Sequence, residues 1–142
     1  MGVIKTYSEL YKLMENSLKN ALNKSAEEIK QMIEFFIAKY YSEYEPKQYE
    51  RTFQFLNSCI KTDVKKDGDS YKVVVYIDYI NLDYENIEGY DIVSMANLGY
   101  HGRPSIKTKT QFWADSMEEL KQGRFLQEEF AKFLRSQGWN VK

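Results

Sequence analysis

A chain of 142 residues, 43% hydrophobic and 29% charged, has the size and composition of one ordinary globular domain with enough length to bury a core. Its formal net charge of -1 excludes a bulk attraction to nucleic acid or to an anionic membrane, and its single cysteine, Cys59, excludes an intrachain disulfide or a multi-cysteine metal site. No run of about 18 apolar residues is present to span a bilayer, and the basic start and apolar stretch of a signal peptide are missing, so the chain is expected in the cytoplasm at synthesis.

The first element is a helix. Leu10, Leu13, Met14, Leu18, Ala21 and Leu22 recur at helical spacing, and Ile29, Met32, Ile33, Phe36, Ile37, Tyr40, Tyr41 and Tyr44 continue the stripe in nearly the same phase. A continuous helix of about 40 residues would run about 60 Å, longer than a compact domain of this size. Ser25-Ala26-Glu27-Glu28 has capping-box spacing, so a break or restart near Ser25 is expected. The alternative is a long projecting helix, with residues 1–24 as a helical extension of a single domain spanning 1–142. Pro46 ends the helix, because it cannot donate an amide hydrogen and disfavours helical geometry at Glu45.

A second helical piece is expected over residues 49–56, followed by a strand over 59–65 that includes Cys59, Ile60, Thr62 and Val64. Cys59 lies among apolar neighbours and reads as a core residue rather than a reactive thiol. Asp67-Gly68 supplies the backbone angles of a tight hairpin. Residues 71–80 then form the longest strand, with Tyr71, Val73, Val75, Ile77 and Tyr79 on one face and Lys72, Val74, Tyr76, Asp78 and Ile80 on the other. Both faces are partly apolar, which suits a strand covered by helix on one side and by a loop or another subunit on the other. Near the end, Ser116-Met117-Glu118-Glu119 is a candidate cap for a C-terminal helix with Leu126, Phe130, Phe133 and Leu134 on its apolar face, and Gly138 should stop it while Trp139 folds back on Leu134. The pattern predicts an α+β fold: a long N-terminal helix on a small antiparallel sheet, closed by a C-terminal helix.

Between these elements the charge is sorted. Asp78, Asp83, Glu85, Glu88 and Asp91 have no basic residue among them, whereas residues 92–114 carry Arg103, Lys107 and Lys109 and no acidic one. Gly99, Gly102 and Pro104 bracket His101, the only histidine, in a loop with special backbone demands. His101 stands without a Ser-His-Asp pattern, a phosphate-binding glycine loop or a second histidine at ligand spacing. The acidic residues lack the spacing of a calcium loop. A solvated acidic edge, or the acidic half of an intersubunit contact, accounts for them better than a metal centre, and neither a metal nor a cofactor is expected. Arg103, Lys107 and Lys109 with Tyr100, Phe112 and Trp113 resemble a small nucleic-acid platform using the loop 101–109. Three cations beside an acidic block are few for a polyanion. A small nucleic-acid-binding or regulatory protein is therefore the second reading, and a metal-dependent enzyme using His101 and the acidic block a third. The twelve tyrosines serve either an aromatic core or an interface.

Three stretches carry a resemblance. Tyr44-Glu45-Pro46-Lys47-Gln48-Tyr49-Glu50-Arg51-Thr52, then Leu56-Asn57-Ser58-Cys59-Ile60, and later Ala96-Asn97-Leu98-Gly99-Tyr100-His101-Gly102 are together similar to the tail-completion or minor-capsid proteins of tailed bacteriophages and prophages, which join the head connector to the tail. The likeness runs in order over most of residues 25–138 and rests on short motifs. It departs from shorter members in the tyrosine-rich helix end and the Phe112-Trp113 segment. The resemblance implies a noncatalytic α+β subunit of a homo-oligomeric ring, found in the virion and in the host cytoplasm during assembly, with head connector and tail tube proteins as partners. Tyr49, Arg51, Leu56, Ser58 and Ile60 fall at the family's helix-to-strand junction, and the Gly99 to Gly102 loop at its glycine-rich loop. With the charge sorting, this gives Asp83, Glu85, Glu88, Tyr100, His101, Arg103, Lys107, Lys109 and Trp113 as interface candidates, the acidic face of one copy meeting the basic loop of the next.

Overall fold

The computed structural model describes residues 3–43, 54–84, 87–99, 110–122 and 125–142. Within them the fold is α+β, organised along a 36-residue helix, α1, spanning Tyr7–Ser42. Thr6 caps it: its hydroxyl accepts the Glu9 amide at 3.1 Å, and the Glu9 carboxylate reaches back to the Lys5 amide at 2.8 Å. The expected break near Ser25 does not occur. Ser25 lies inside α1 and is buried, and its hydroxyl donates 2.8 Å to the Ala21 carbonyl one turn earlier, so the group that could have started a helix is satisfied within one.

The first four strands lie on one hairpin ribbon made of two short antiparallel ladders. β1 (Cys59–Lys61) pairs antiparallel with β4 (Val75–Ile77), and β2 (Lys65–Asp67) with β3 (Ser70–Lys72). Lys61 pairs with Val75 and Lys65 with Lys72, so the outgoing strand has residues 62–64 where the returning strand has only 73–74. This extra residue is a β-bulge, and it is why the long strand expected over 71–80 appears as two short ladders. Thr62 closes the upper ladder, its amide donating to the Val74 carbonyl at 2.9 Å and its hydroxyl accepting the Val74 amide at 3.0 Å. At the hairpin the pairing of Asp67 with Ser70 leaves Gly68 and Asp69 as the loop, with Gly68 at φ 61, one residue later than the expected Asp67-Gly68 turn.

A second hairpin, β5 (Asp83–Tyr84) and β6 (Ile87–Glu88), leads directly into α2 (Gly89–Asn97). Helix α2 lies just before the glycine-rich loop, in a stretch for which the sequence predicts no helix or strand. The expected single C-terminal helix is two helices, α3 (Phe112–Lys121) and α4 (Phe125–Ser136). Ser116 is not the cap. It is fully buried inside α3, its hydroxyl donating 2.6 Å to the Phe112 carbonyl. The end of α4 is as expected: Gly138 takes φ 94, its amide reaches Arg135 at 3.0 Å, and the Trp139 amide reaches Leu134 at 3.3 Å, the paired bonds of a Schellman closure.

Helices α3 and α4 run antiparallel along α1. The Thr110 amide, just before α3, donates to the Glu43 carboxylate at the C-terminal end of α1, while Gln137, just after α4, donates 3.0 Å to the Ser17 carbonyl. The ribbon follows another side of the same helix, with Cys59 in the core beside Ile33, Lys61 bonded to Asn23 at 2.6 Å, and Tyr71 bonded to Glu15. The main core gathers at the C-terminal half of α1, where Ile33, Ile37 and Tyr40 meet Phe55, Cys59, Leu82, Ala96 and Phe112. Phe55 links the aromatics, edge-on to Phe112 at 5.0 Å and to Tyr40 at 6.2 Å. From its third turn to just past its middle the buried residues of α1 are small, Ser17, Ala21, Ser25 and Ala26, which lets neighbouring elements approach closely.

Gly89 joins the second hairpin to this core. A Cβ on it would fall 1.8 Å from the Tyr79 carbonyl oxygen and 2.9 Å from Leu82 Cβ, whereas one on Gly68 would meet nothing within 4 Å. Gly89→Ala is therefore expected to destabilise by about 3 kcal/mol or more through backbone overlap. Gly68→Ala should cost only about 1–2 kcal/mol, through its left-handed φ. Urea unfolding of both variants checks the order; equal costs would mean that α2 does not sit on Tyr79.

Candidate assembly interface

Most of the residues that the sequence nominates for a contact lie outside the described residues: Glu85, Tyr100, His101, Arg103, Lys107 and Lys109, and with them the basic loop. The same holds for Tyr49 and Arg51 of the junction. Asp83 and Glu88 are placed by their backbone and are register partners across β5 and β6. Trp113 is on the first turn of α3, 36% exposed, with its ring edge-on to Phe112 at 6.3 Å. Leu56 packs against the core, Ser58 is buried with its hydroxyl donating 2.6 Å to the Phe55 carbonyl, and Ile60 pairs with Tyr76 in β1. Those three build the turn that delivers the chain into the ribbon.

The glycine-rich loop starts as a helix end. Gly99 is buried at φ 80 just beyond α2, its amide bonded to the Ala96 carbonyl at 3.1 Å. Asn97, the last residue of α2, accepts the Ala114 amide at 3.1 Å, and Asp115 accepts the Gln111 amide at the same distance, so two side chains cap α3. The ends of α1, α2 and α3 are thereby tied together on either side of residues 100–109.

Among the described residues no three of His, Cys, Asp and Glu gather in a way that could hold a metal ion, and no described helix is long and apolar enough to cross a membrane. Cys59 is buried, and burial pushes its thiol up to about 11, helped by the nearby Glu34 carboxylate, which suits packing and not nucleophilic chemistry.

The described surface carries two apolar features, and the sequence marks part of the first, the outer face of residues 71–80, as apolar. The large exposed hydrophobics concentrate before and along the first turns of α1, at Val3, Ile4, Tyr7, Tyr11 and Met14, and on the outer side of β4 and the following turn, at Val74, Tyr76, Tyr79 and Ile80. A groove of about 560 Å³ also opens over α1, walled by Val73 and Val75 of the ribbon on one side and by Leu126 and Phe130 of α4 on the other, with Leu22, Ala26 and Ile29 on its floor. Helical spacing announced the first feature in part, since Met14 belongs to the predicted stripe. The groove depends on contacts between distant segments and has no local signal.

A family model matches residues 6–136, all but the ends of the chain. The chain belongs to the YomN family. That family is named for a Bacillus phage- or prophage-derived gene, which associates this chain with phage. No curated protein and no solved structure matches it.

One contact near the tip of α1 gives the helix a pH signature. The Tyr71 hydroxyl donates to the Glu15 carboxylate, with the Lys19 ammonium 5.4 Å from the centre of the Tyr71 ring. The Tyr71 bond is the largest influence on Glu15 and holds its carboxyl below the ordinary range, opposed by burial and assisted by Lys19 and Lys66; the same bond pushes Tyr71 up to about 12. A lowered acid stabilises the fold above its unfolded pKa and loses that contribution as pH falls through the folded one. A raised phenol contributes below its unfolded pKa and loses it as pH rises through about 12. Carbon-detected NMR titration of Glu15 should give a midpoint below the ordinary one that moves back up in Tyr71→Phe. An unchanged midpoint would mean that the ribbon tip does not reach α1.

Proposed function

We propose that the protein is a structural subunit of phage or prophage virion assembly, a tail-completion or head–tail joining protein that forms a ring between the head connector and the tail tube. Family membership over residues 6–136 carries this reading as far as phage association. The step to a joining subunit is supported by the motif order noted in the sequence and by the exposed apolar side chains at the start of α1 and along β4, which suit a surface that meets other proteins. On this reading the protein is not an enzyme, its partners are other copies of itself and the connector and tail tube proteins, and it resides in the virion after assembly in the host cytoplasm.

The mechanism is geometric. A head-to-tail contact uses two different faces of each copy, and a closing rotation turns repeated contacts into a ring. Asp83 and Glu88 hold paired positions in the second hairpin, and like charges at paired positions are unfavourable until a cation joins them. The basic loop of a neighbour, with Arg103, Lys107 and Lys109, would supply that cation and set the register, while aromatics such as Trp113 would supply affinity.

Deleting the gene from an inducible phage or prophage that carries it is expected to yield DNA-filled heads and separate tails that do not join, visible by electron microscopy and rescued by the protein supplied in trans. Normal yields of joined particles from the deletion would refute the joining role.

A further inference from the structure

The exposed start of α1 and the groove over its middle are complementary features of the same chain. Tyr7, Tyr11 and Met14 follow one another at four- and three-residue spacing on α1, so they form a single apolar seam, with Ile4 exposed just before the cap, and Tyr7 and Tyr11 are 83% and 72% exposed. The seam continues into Leu18, Ala21 and Ser25. Of these, Ala21 and Ser25 are buried, so the same side of one helix is covered inside the chain from Ala21 onward and most exposed at Tyr7 and Tyr11.

We propose that the bare seam of one copy lies in the groove of the next, between its ribbon and α4. A second copy is the occupant for two reasons. The groove needs an apolar partner with side chains projecting from a rigid edge, and the N-terminal turns are a capped helix that presents such an edge. The chain cannot fill its own groove, because Tyr11 and Ala26 lie on one continuous helix, 15 residues and so about 22 Å apart. The contact must therefore be intermolecular and joins two different surfaces, so copies add head to tail. Pairing of two seams with each other is the weaker arrangement, since coiled coils need about three or four heptads and the bare seam spans fewer than two. The contact would serve the ring of the proposed function, but it rests on the exposed seam and the groove and does not require a role in the virion.

The test uses sedimentation velocity of the full chain over a concentration series, with two variants. Tyr7→Asp/Tyr11→Asp removes the seam at exposed positions, and Leu126→Glu charges the groove wall at a side chain that is 44% exposed. Circular dichroism establishes that each variant is folded. The natural chain should associate increasingly with concentration, and each variant alone should associate about tenfold more weakly. An equimolar mixture of the two should recover association and stop at a heterodimer, because only one intact seam and one intact groove remain in each pair. A natural chain that stays monomeric throughout, or a mixture no more associated than its components, would overturn the proposal. So would a Leu126→Glu variant that associates normally while the tyrosine variant does not, which would assign the seams to pairing with each other. A deletion phenotype without association would leave the virion role standing and remove this contact alone.

Discussion

The rest of the fold depends on α1 staying intact. A helix of 36 residues is about 54 Å long, more than one layer of side chains can cover from a single side. The chain meets this by laying two long partners beside it. Helices α3 and α4 return antiparallel from Glu43 to Ser17, and the bent ribbon runs from the core near Ile33 to Glu15. The two partners need not meet each other over the middle of α1, and the groove is the space they leave.

Covering is uneven along the helix, and that gradient organises both stability and surface. At the C-terminal half, large side chains interlock around Phe55 and Phe112, and most of the apolar burial is there. In the middle, small residues on α1 allow close approach, and specificity comes from polar ties such as Gln137 to Ser17 and Lys61 to Asn23. Ahead of Glu15 cover thins: Leu10 and Leu13 are half-buried while Tyr7 and Tyr11 stand exposed. Pattern and exposure therefore part at the start of α1, where Tyr7 and Tyr11 stand exposed, and Phe35 further along the helix is exposed as well.

Some of this was legible in the sequence and some was not. The α+β class, the long stripe on α1, the core position of Cys59 and the Gly138 closure followed from periodicity and glycine chemistry, which act over a few residues. The capping signals misled for an equally local reason. Ser25 and Ser116 satisfy the Ser-x-x-Glu pattern, but each hydroxyl found the carbonyl four residues back, and burial against a neighbouring element decided between the two uses. The cap that operates is Thr6, whose hydroxyl accepts the Glu9 amide while the Glu9 carboxylate accepts the Lys5 amide. Helix α2 carried a signal in Ile92, Val93 and Ala96, too short to outweigh the acidic residues around it. The bulge in residues 62–64 left no signal, because both strands alternate acceptably whether or not a residue is skipped. As for the site, the charge-sorted residues were easy to see in sequence and lie largely outside the described structure, whereas the groove joins residues 22 to 130 and only folding brings its walls together.

Continuity of α1 through Ser25 is the claim on which the spine, the flanking partners and the exposed tip all stand. It can be measured directly by electron–electron spin distances between labels at Ser8→Cys and Lys39→Cys, both on exposed positions of α1, with the buried Cys59 left unlabelled. An unbroken helix predicts one narrow distribution near about 46 Å, from 31 residues at about 1.5 Å each. A markedly shorter or broad distribution would mean that α1 breaks near Ser25 and would contradict the account.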